Sequence, residues 1–229
     1  MDIEALKQVA GEKAVEFVES GMVIGLGTGS TAVHAVRKIG RLWQDGTLTN
    51  IVCIPTSEET AREAEKFQLP LTTFDQHPKI DITIDGADEI DPNFDLIKGL
   101  GGALLREKIV ATSSKRMVVV ADERKDVAQL GTRAPVPVEV IPFAERPVWE
   151  RLTALGARIE KRMNGDLPFI TDEQNIILDS YFDGGIVNPK QLDTQLLAIP
   201  GVVDHGLFLG IATDVILATS EGIVVRKRP

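Results

Sequence analysis

Aromatic residues make up only 5% of the 229-residue chain, and it holds one cysteine and three histidines. With so few rings, a core must be built from Val, Ile, Leu and Ala, a composition that suits buried parallel strands covered by helices. The single thiol, Cys53, excludes a disulfide framework within the chain and fits a reducing compartment. Its place in the apolar run "IVCIP" makes it a buried strand residue. No Cys/His spacing is present, so there is no metal signature. No apolar run approaches the ~18 residues of a membrane span, and "MDIEALKQVAGEKAVEF" lacks the apolar segment of a secretory leader. Basic residues are outnumbered 25 to 34, which gives a formal charge of −9. Such a chain is a poor general binder of nucleic acid or anionic membrane. The expectation is a soluble cytoplasmic protein, and any anionic ligand would need positive potential supplied locally.

What is present is an alternation of strand and helix. Residues 3–18 have helical apolar spacing. A short strand then leads into "GLGTGST" and a helix capped near Ser30 or Thr31. "NIVCIPTS" reads as a second strand, and "SEETAREAEKF" as a helix with Ser57 at its N-cap. "KIDITIDGAD", "GGALLREKIVATSS" and "RMVVVAD" continue as strand, helix, strand. This is the signature of an α/β domain with a parallel sheet. Near residue 131 the texture changes. "RPVWERLTALG" is helical, "ARIEKR" a strand, "PFITDEQNIILDSYF" a hairpin turning near Asp172 to Asn175, and "NPKQLDTQLLAI" a helix entered through Asn188 and Pro189. The expected division is 1–131 plus 206–229 as the larger domain, completed by a terminal hairpin turning at Ser220 to Gly222. Residues 132–205 form a small α+β domain. Trp43 and Trp149 read as packing or interface residues. His34 falls within a helix, and His77 and His205 at loops or strand edges.

Three motifs carry chemistry. "GLGTGST" follows a strand and opens a helix, whose first N–H groups lack internal partners and make an anion site with the helix dipole. Gly27 and Gly29 permit close approach of backbone to ligand, and Thr28, Ser30 and Thr31 can add hydroxyl hydrogen bonds. No Gly-Lys-Ser/Thr follows, so it is not a Walker loop, and Ser30 stands where a dinucleotide fingerprint has its third glycine. The hydroxyls favour a monophosphate. "TIDGADEID" places Asp85, Asp88, Glu89 and Asp91 within seven residues at the carboxyl end of a strand, the edge where open α/β sheets bind ligands. Glu89 and Asp91 read as a solvated acidic turn, whereas Asp85 ends an apolar strand and needs compensation for burial. "IKGLGGALLREKI" supplies Lys98 as that compensation, then a second glycine turn, then a helix on which Glu107 shares an apolar face with Ala103, Val110 and Ala111. A glutamate there is either an interface residue or a catalytic base.

Together, "GLGTGSTA", "TIDGADEID", "IKGLGGALLREKI" and "VVVADERK" resemble the type A ribose-5-phosphate isomerases, in order and spacing, over essentially the whole chain. The resemblance implies a Rossmann-like parallel-sheet domain with a smaller α+β, ferredoxin-like domain. It implies interconversion of D-ribose 5-phosphate and D-ribulose 5-phosphate through a cis-enediolate, in the non-oxidative pentose phosphate branch, without metal or other cofactor. It further implies a homodimer or homotetramer. By motif position, Glu107 matches the catalytic base, and Asp85, Asp88 and Lys98 the polar catalytic cluster. Gly27, Thr28, Gly29, Ser30, Thr31, Gly86, Ala87, Gly99, Leu100, Gly101 and Lys125 match substrate-binding positions. Leu100 departs from the glycine run of many relatives. One rival is a non-catalytic sugar-phosphate-sensing module of a regulator, which would need the phosphate loop but no base. The other is a dinucleotide-dependent oxidoreductase, which would end its second strand in an acid; here that strand ends in "IPTS".

Overall fold

A computed structural model of the protein describes residues 3–228. In chain order, the first part runs α1 (Ile3–Ala14), β1 (Val23–Leu26), α2 (Ala32–Gln44), β2 (Val52–Pro55), α3 (Glu58–Glu65) and β3 (Ile82–Gly86). Then come β4 (Glu89–Ile90), β5 (Leu96–Ile97), α4 (Leu104–Thr112), β6 (Met117–Asp122) and β7 (Val136–Val140). Next are α5 (Glu145–Ala154), β8 (Ala157–Lys161), β9 (Met163–Asn164), β10 (Leu167–Pro168) and β11 (Ile176–Phe182). The chain closes with α6 (Pro189–Leu197), β12 (Val202–His205), β13 (Leu207–Phe208), β14 (Asp214–Thr219) and β15 (Gly222–Lys227). None of the described helices is long and apolar enough to cross a membrane.

The contacts divide the chain into two units: 1–87, 106–125 and 211–229 in the first, 88–105 and 126–210 in the second. The stretches 88–105, 126–131 and 206–210 thus pack with the smaller unit rather than the larger. The cause is strand pairing: β5 sits between β4 and β13 in a three-stranded antiparallel sheet.

The first unit is a six-stranded sheet in the order β15-β14-β6-β3-β1-β2, parallel except for the antiparallel edge strand β15. Its parallel strands are short apolar runs buried on both faces, as parallel strands under helices must be, whereas the edge strand β15 is half-buried to exposed. Side chains alternate between the faces. In β2, Cys53 joins the core beneath α1 and α2 with Ile24, Leu26, Ile39 and Val118, while its neighbour Ile54 packs against Ile80 and Val110 of α4. Burial pushes the Cys53 thiol up to about 12, so it is an inert core residue. The expected terminal hairpin is present and adds β14 beside β6. Strand order reverses at β1, which has β2 on one side and β3 on the other, so the carboxyl ends of β1 and β3 flank a topological switch point.

The second unit holds an antiparallel sheet in the order β12-β7-β11-β8. With α5 between β7 and β8, and α6 between β11 and β12, this is the β-α-β-β-α-β ferredoxin-like arrangement. Its core contains Val136, Val138, Val148, Leu152, Leu178 and Leu196. Asn188 caps α6 by accepting from the Gln191 N–H at 3.1 Å, with Pro189 in the first turn. Trp43 and Trp149 both pack against cores, one in each unit. The expected hairpin over 168–182 pairs differently. The turn at Thr171–Asn175 forms, but β11 pairs with β7 and β8, and β10 pairs with β9. Gly165, between Asn164 and Leu167, supplies the tighter turn that takes β10 away.

Candidate active site

In the first unit, the turn after β1 is fastened to the start of α3 by a chain of hydroxyls. The Thr28 hydroxyl donates to Ser57 Oγ at 2.8 Å, Ser57 donates to Thr60 Oγ1 at 3.1 Å, and Thr60 donates to the Gly27 carbonyl at 3.0 Å. Thr56 adds a bond to the Leu26 carbonyl at 3.0 Å. Ser57 is the N-cap of α3, as its sequence position indicates, and accepts from the Thr60 N–H. Each hydroxyl donates once, so these buried polar groups are mutually satisfied. Thr56 and Thr60 were not singled out by sequence; the only signal is the run of hydroxyls after β2. The Thr28 hydroxyl therefore faces inward, while Gly29 and Ser30 are exposed and Thr31 half-buried at the head of α2. Thr31 is the N-cap of α2 and makes no side-chain capping bond; of the first amides of the helix, Val33 donates to the Gly29 carbonyl at 3.0 Å and His34 to the Thr31 carbonyl at 3.2 Å.

Asp85 ends β3 beside this turn. It is fully buried, and its Oδ1 accepts from the N–H groups of Thr28 at 3.0 Å and Gly86 at 2.7 Å. A methyl at Gly27 would stand 2.4 Å from that same oxygen, so only glycine admits the carboxylate here. Gly86 and Ala87 follow, both half-buried.

Glu107 lies in the first turn of α4 and is 4% exposed. It sits one turn ahead of Val110, on the same face. The far end of α4 bonds to the start of β3, through Ile80 N–H to Ser113 O and Lys115 N–H to Ile80 O. The helix thus runs antiparallel to β3, and its first turn is at the carboxyl edge of the sheet. The Arg106 guanidinium donates to Glu58 of α3 at 2.8 Å. Because α3 is also tied to Thr28, Glu107 and the first glycine turn share one rim. Half-buried Lys125 belongs to the same rim, in the turn after β6. Beside it, Arg124 binds Asp122 and holds that carboxyl below the usual carboxylate range.

In the second unit, Asp88 accepts from the Leu100 N–H at 3.0 Å and donates its own N–H to the Ile97 carbonyl at 2.8 Å. Lys98, 2% exposed, follows β5; its N–H bonds to the Gly206 carbonyl, and its ammonium lies 5.5 Å from the centroid of the Phe208 ring. An ammonium over a ring face is favourably placed. Gly99 is buried, whereas Leu100 and Gly101 are exposed.

The expectation of solvated positions for Glu89 and Asp91 is corrected. Glu89 is fully buried and accepts from the N–H groups of Gly131, Arg133 and Ala134. Asp91 is 7% exposed and closes its own turn by accepting from Asn93 and Asp95. The acidic run is thus a set of backbone anchors in which each carboxylate meets separate amides, and this offsets the cost of placing four like charges within one short stretch of chain. His205 is a fully buried strand residue, its Nε2 3.3 Å from an Asp193 oxygen. His34 lies in α2, where burial lowers its pKa. Among the described residues, no group of three or more His, Cys, Asp or Glu could hold a metal ion.

Comparison with known proteins gives this arrangement a family. Residues 52–222 match the family model described as ribose 5-phosphate isomerase A (phosphoriboisomerase A). Ribose-5-phosphate isomerase A of Roseiflexus castenholzii is 50% identical over 230 residues, covering 100% of this chain and 98% of the relative. The structure of ribose 5-phosphate isomerase from Plasmodium falciparum superposes with a TM-score of 0.95 at 40% identity, covering 98% of this chain and 99% of that one. A D-ribose-5-phosphate isomerase solved in complex with phospho-erythronic acid gives 0.96 at 41% identity, with 100% of both chains covered. On these matches the chain belongs to the ribose 5-phosphate isomerase A family, a family of enzymes.

Proposed function

We propose that the protein interconverts D-ribose 5-phosphate and D-ribulose 5-phosphate through a cis-enediolate, with Glu107 moving the proton between C2 and C1. The observation that carries this is the position of Glu107, buried in the first turn of α4 on the rim that also bears the first glycine turn. The C2 proton of the open-chain aldose is a weak acid, so its removal needs a placed base and a stabilised oxyanion. The Glu107 carboxylate takes the proton from C2, the C1 carbonyl oxygen becomes an enediolate oxygen, and the resulting carboxylic acid returns the proton to C1. Meanwhile the O2 hydroxyl proton is lost and O1 gains one, so no net proton is consumed. Lys98 meets the negative oxygen. Asp85 and Asp88 manage hydroxyl protons, including ring opening of the furanose.

The phosphate does not react. Held by the amides of the first glycine turn, with Ser30 and Thr31 beside them and Lys125 as a cation, it fixes C1 and C2 for the base. The ligand of the solved relative, phospho-erythronic acid, is a phosphorylated sugar acid. Its planar carboxylate resembles an enediolate end held at a distance from a phosphate, which suits this division of labour. Supplied with ribose 5-phosphate in D₂O with a chelator present, the protein is expected to form ribulose 5-phosphate carrying deuterium at C1, read by NMR. A protein that binds the sugar phosphate and never turns it over would instead be a sensing module.

A further inference from the structure

The second glycine turn is held by an arginine that lies outside every motif. Arg162 stands between β8 and β9 with its side chain only 12% exposed. Its Nε donates to Asp179 Oδ2 at 2.9 Å and its Nη2 to Asp179 Oδ1, a bidentate pair with β11. Such a pair fixes the plane of the guanidinium. The remaining nitrogen, Nη1, donates to two carbonyls of the turn, Gly99 at 2.8 Å and Leu100 at 3.0 Å. The peptide that joins Gly99 to Leu100 is gripped from its other side as well, because the Leu100 N–H donates to Asp88 Oδ2. From the hairpin of β9 and β10, Phe169 closes over the same turn. A methyl added at Gly102 would lie 2.3 Å from its ring.

Carbonyls of an exposed turn are ordinarily satisfied by water. A nearly buried ion pair is a weak source of net stability, since desolvation offsets much of its attraction. What it supplies is a fixed direction. We propose that Arg162 is a positioning residue for the isomerisation. It acts through the Gly99–Leu100 peptide to set the carboxylate of Asp88 and the backbone that follows Lys98. The chain has three links: guanidinium to carbonyl, carbonyl to amide within one rigid peptide plane, and amide to carboxylate. Hydrogen bonds in series polarise one another, so an ionised donor at one end strengthens the hold on Asp88 at the other. This inference rests on the isomerase function proposed above.

Two full-length variants test it. Arg162→Lys keeps the charge but cannot make both the fork with Asp179 and the bonds to the two carbonyls. The double variant Arg162→Met, Asp179→Asn removes the pair without leaving a buried lone charge. For each, kcat and KM for ribose 5-phosphate are measured alongside the melting temperature and hydrogen exchange of the Leu100 amide. The expected result is a folded enzyme whose kcat falls by about 10²-fold, the scale of a small misplacement of reacting groups. KM should move less than about threefold, because the phosphate contacts are untouched. The Leu100 amide should exchange faster than in the wild type. A lowered melting temperature with kcat unchanged would overturn the proposal, as would unchanged exchange at Leu100. A wild-type protein without turnover would instead overturn the isomerase function, and exchange at Leu100 would still decide whether Arg162 grips the turn.

Discussion

An alanine methyl at Gly27 would meet Asp85 Oδ1 at 2.4 Å and the Asp85 backbone at 2.5 Å. Neither neighbour is a flexible tip, so something must move. Gly27→Ala is expected to cost about 1–3 kcal/mol as overpacking and to push Asp85 off the Thr28 amide, read as a lower urea midpoint together with a lower kcat. This close approach was half legible: the glycine pattern announced a tight turn, but not that Asp85 fills the space. The acids show the same limit. Their clustering marked the strand end correctly, whereas the amides that receive Glu89 lie more than 40 positions downstream, and no local pattern names them. Arg162 was silent for the same reason. Its partners, Gly99, Leu100 and Asp179, are remote in sequence, and one arginine among many on a polar strand carries no motif.

Helices and parallel strands of the first unit were legible because their apolar period is local and a cap is spelled out, as at Ser57; Asn188 does the same for α6 of the second unit. The misplaced hairpin of the second unit had a genuine turn at Thr171–Asn175, but turn residues do not say which strands they separate. On β7 of that sheet, Glu139 is 1% exposed, and its Oε1 accepts from Thr171 and Asn175, each at 2.9 Å. Burial raises its pKa above the usual carboxylate value, with Glu173 and Asp204 adding to the effect. A carboxyl raised in the folded state favours folding while protonated. That contribution is full below the unfolded value and is lost as pH rises through the folded one. Glu139→Gln keeps the acceptor for Thr171 and Asn175 and removes the titration. The variant should therefore melt near the wild type below the ordinary glutamate value and gain on it as pH rises through the raised folded value, with no further gain above it. Thermal melts across a pH series check this, and a difference independent of pH would contradict it.

The chain as a whole carries −9 while its proposed substrate is an anion. The two are compatible if the attraction is local, as proposed above, from main-chain N–H groups of the first glycine turn and from single lysines; the clustered acids, for their part, are consumed as backbone anchors. The division into units was harder to see in the sequence. The chain passes between them at 87/88, 105/106, 125/126 and 210/211, and only the third and fourth passages lie near a change in composition. The first two fall inside the motifs that carry the chemistry, where glycines and acids mask any boundary. In the mechanism proposed above, catalysis turns on one carboxylate. In Glu107→Gln the side chain keeps its size and loses its basicity, so kcat should drop by about 10²–10⁴-fold, the usual worth of a placed general base. Calorimetric titration should still find ribose 5-phosphate bound within about threefold of the wild-type Kd, since the phosphate supplies the shared binding. A folded Glu107→Gln enzyme that turns over at the wild-type rate would show that another group moves the proton.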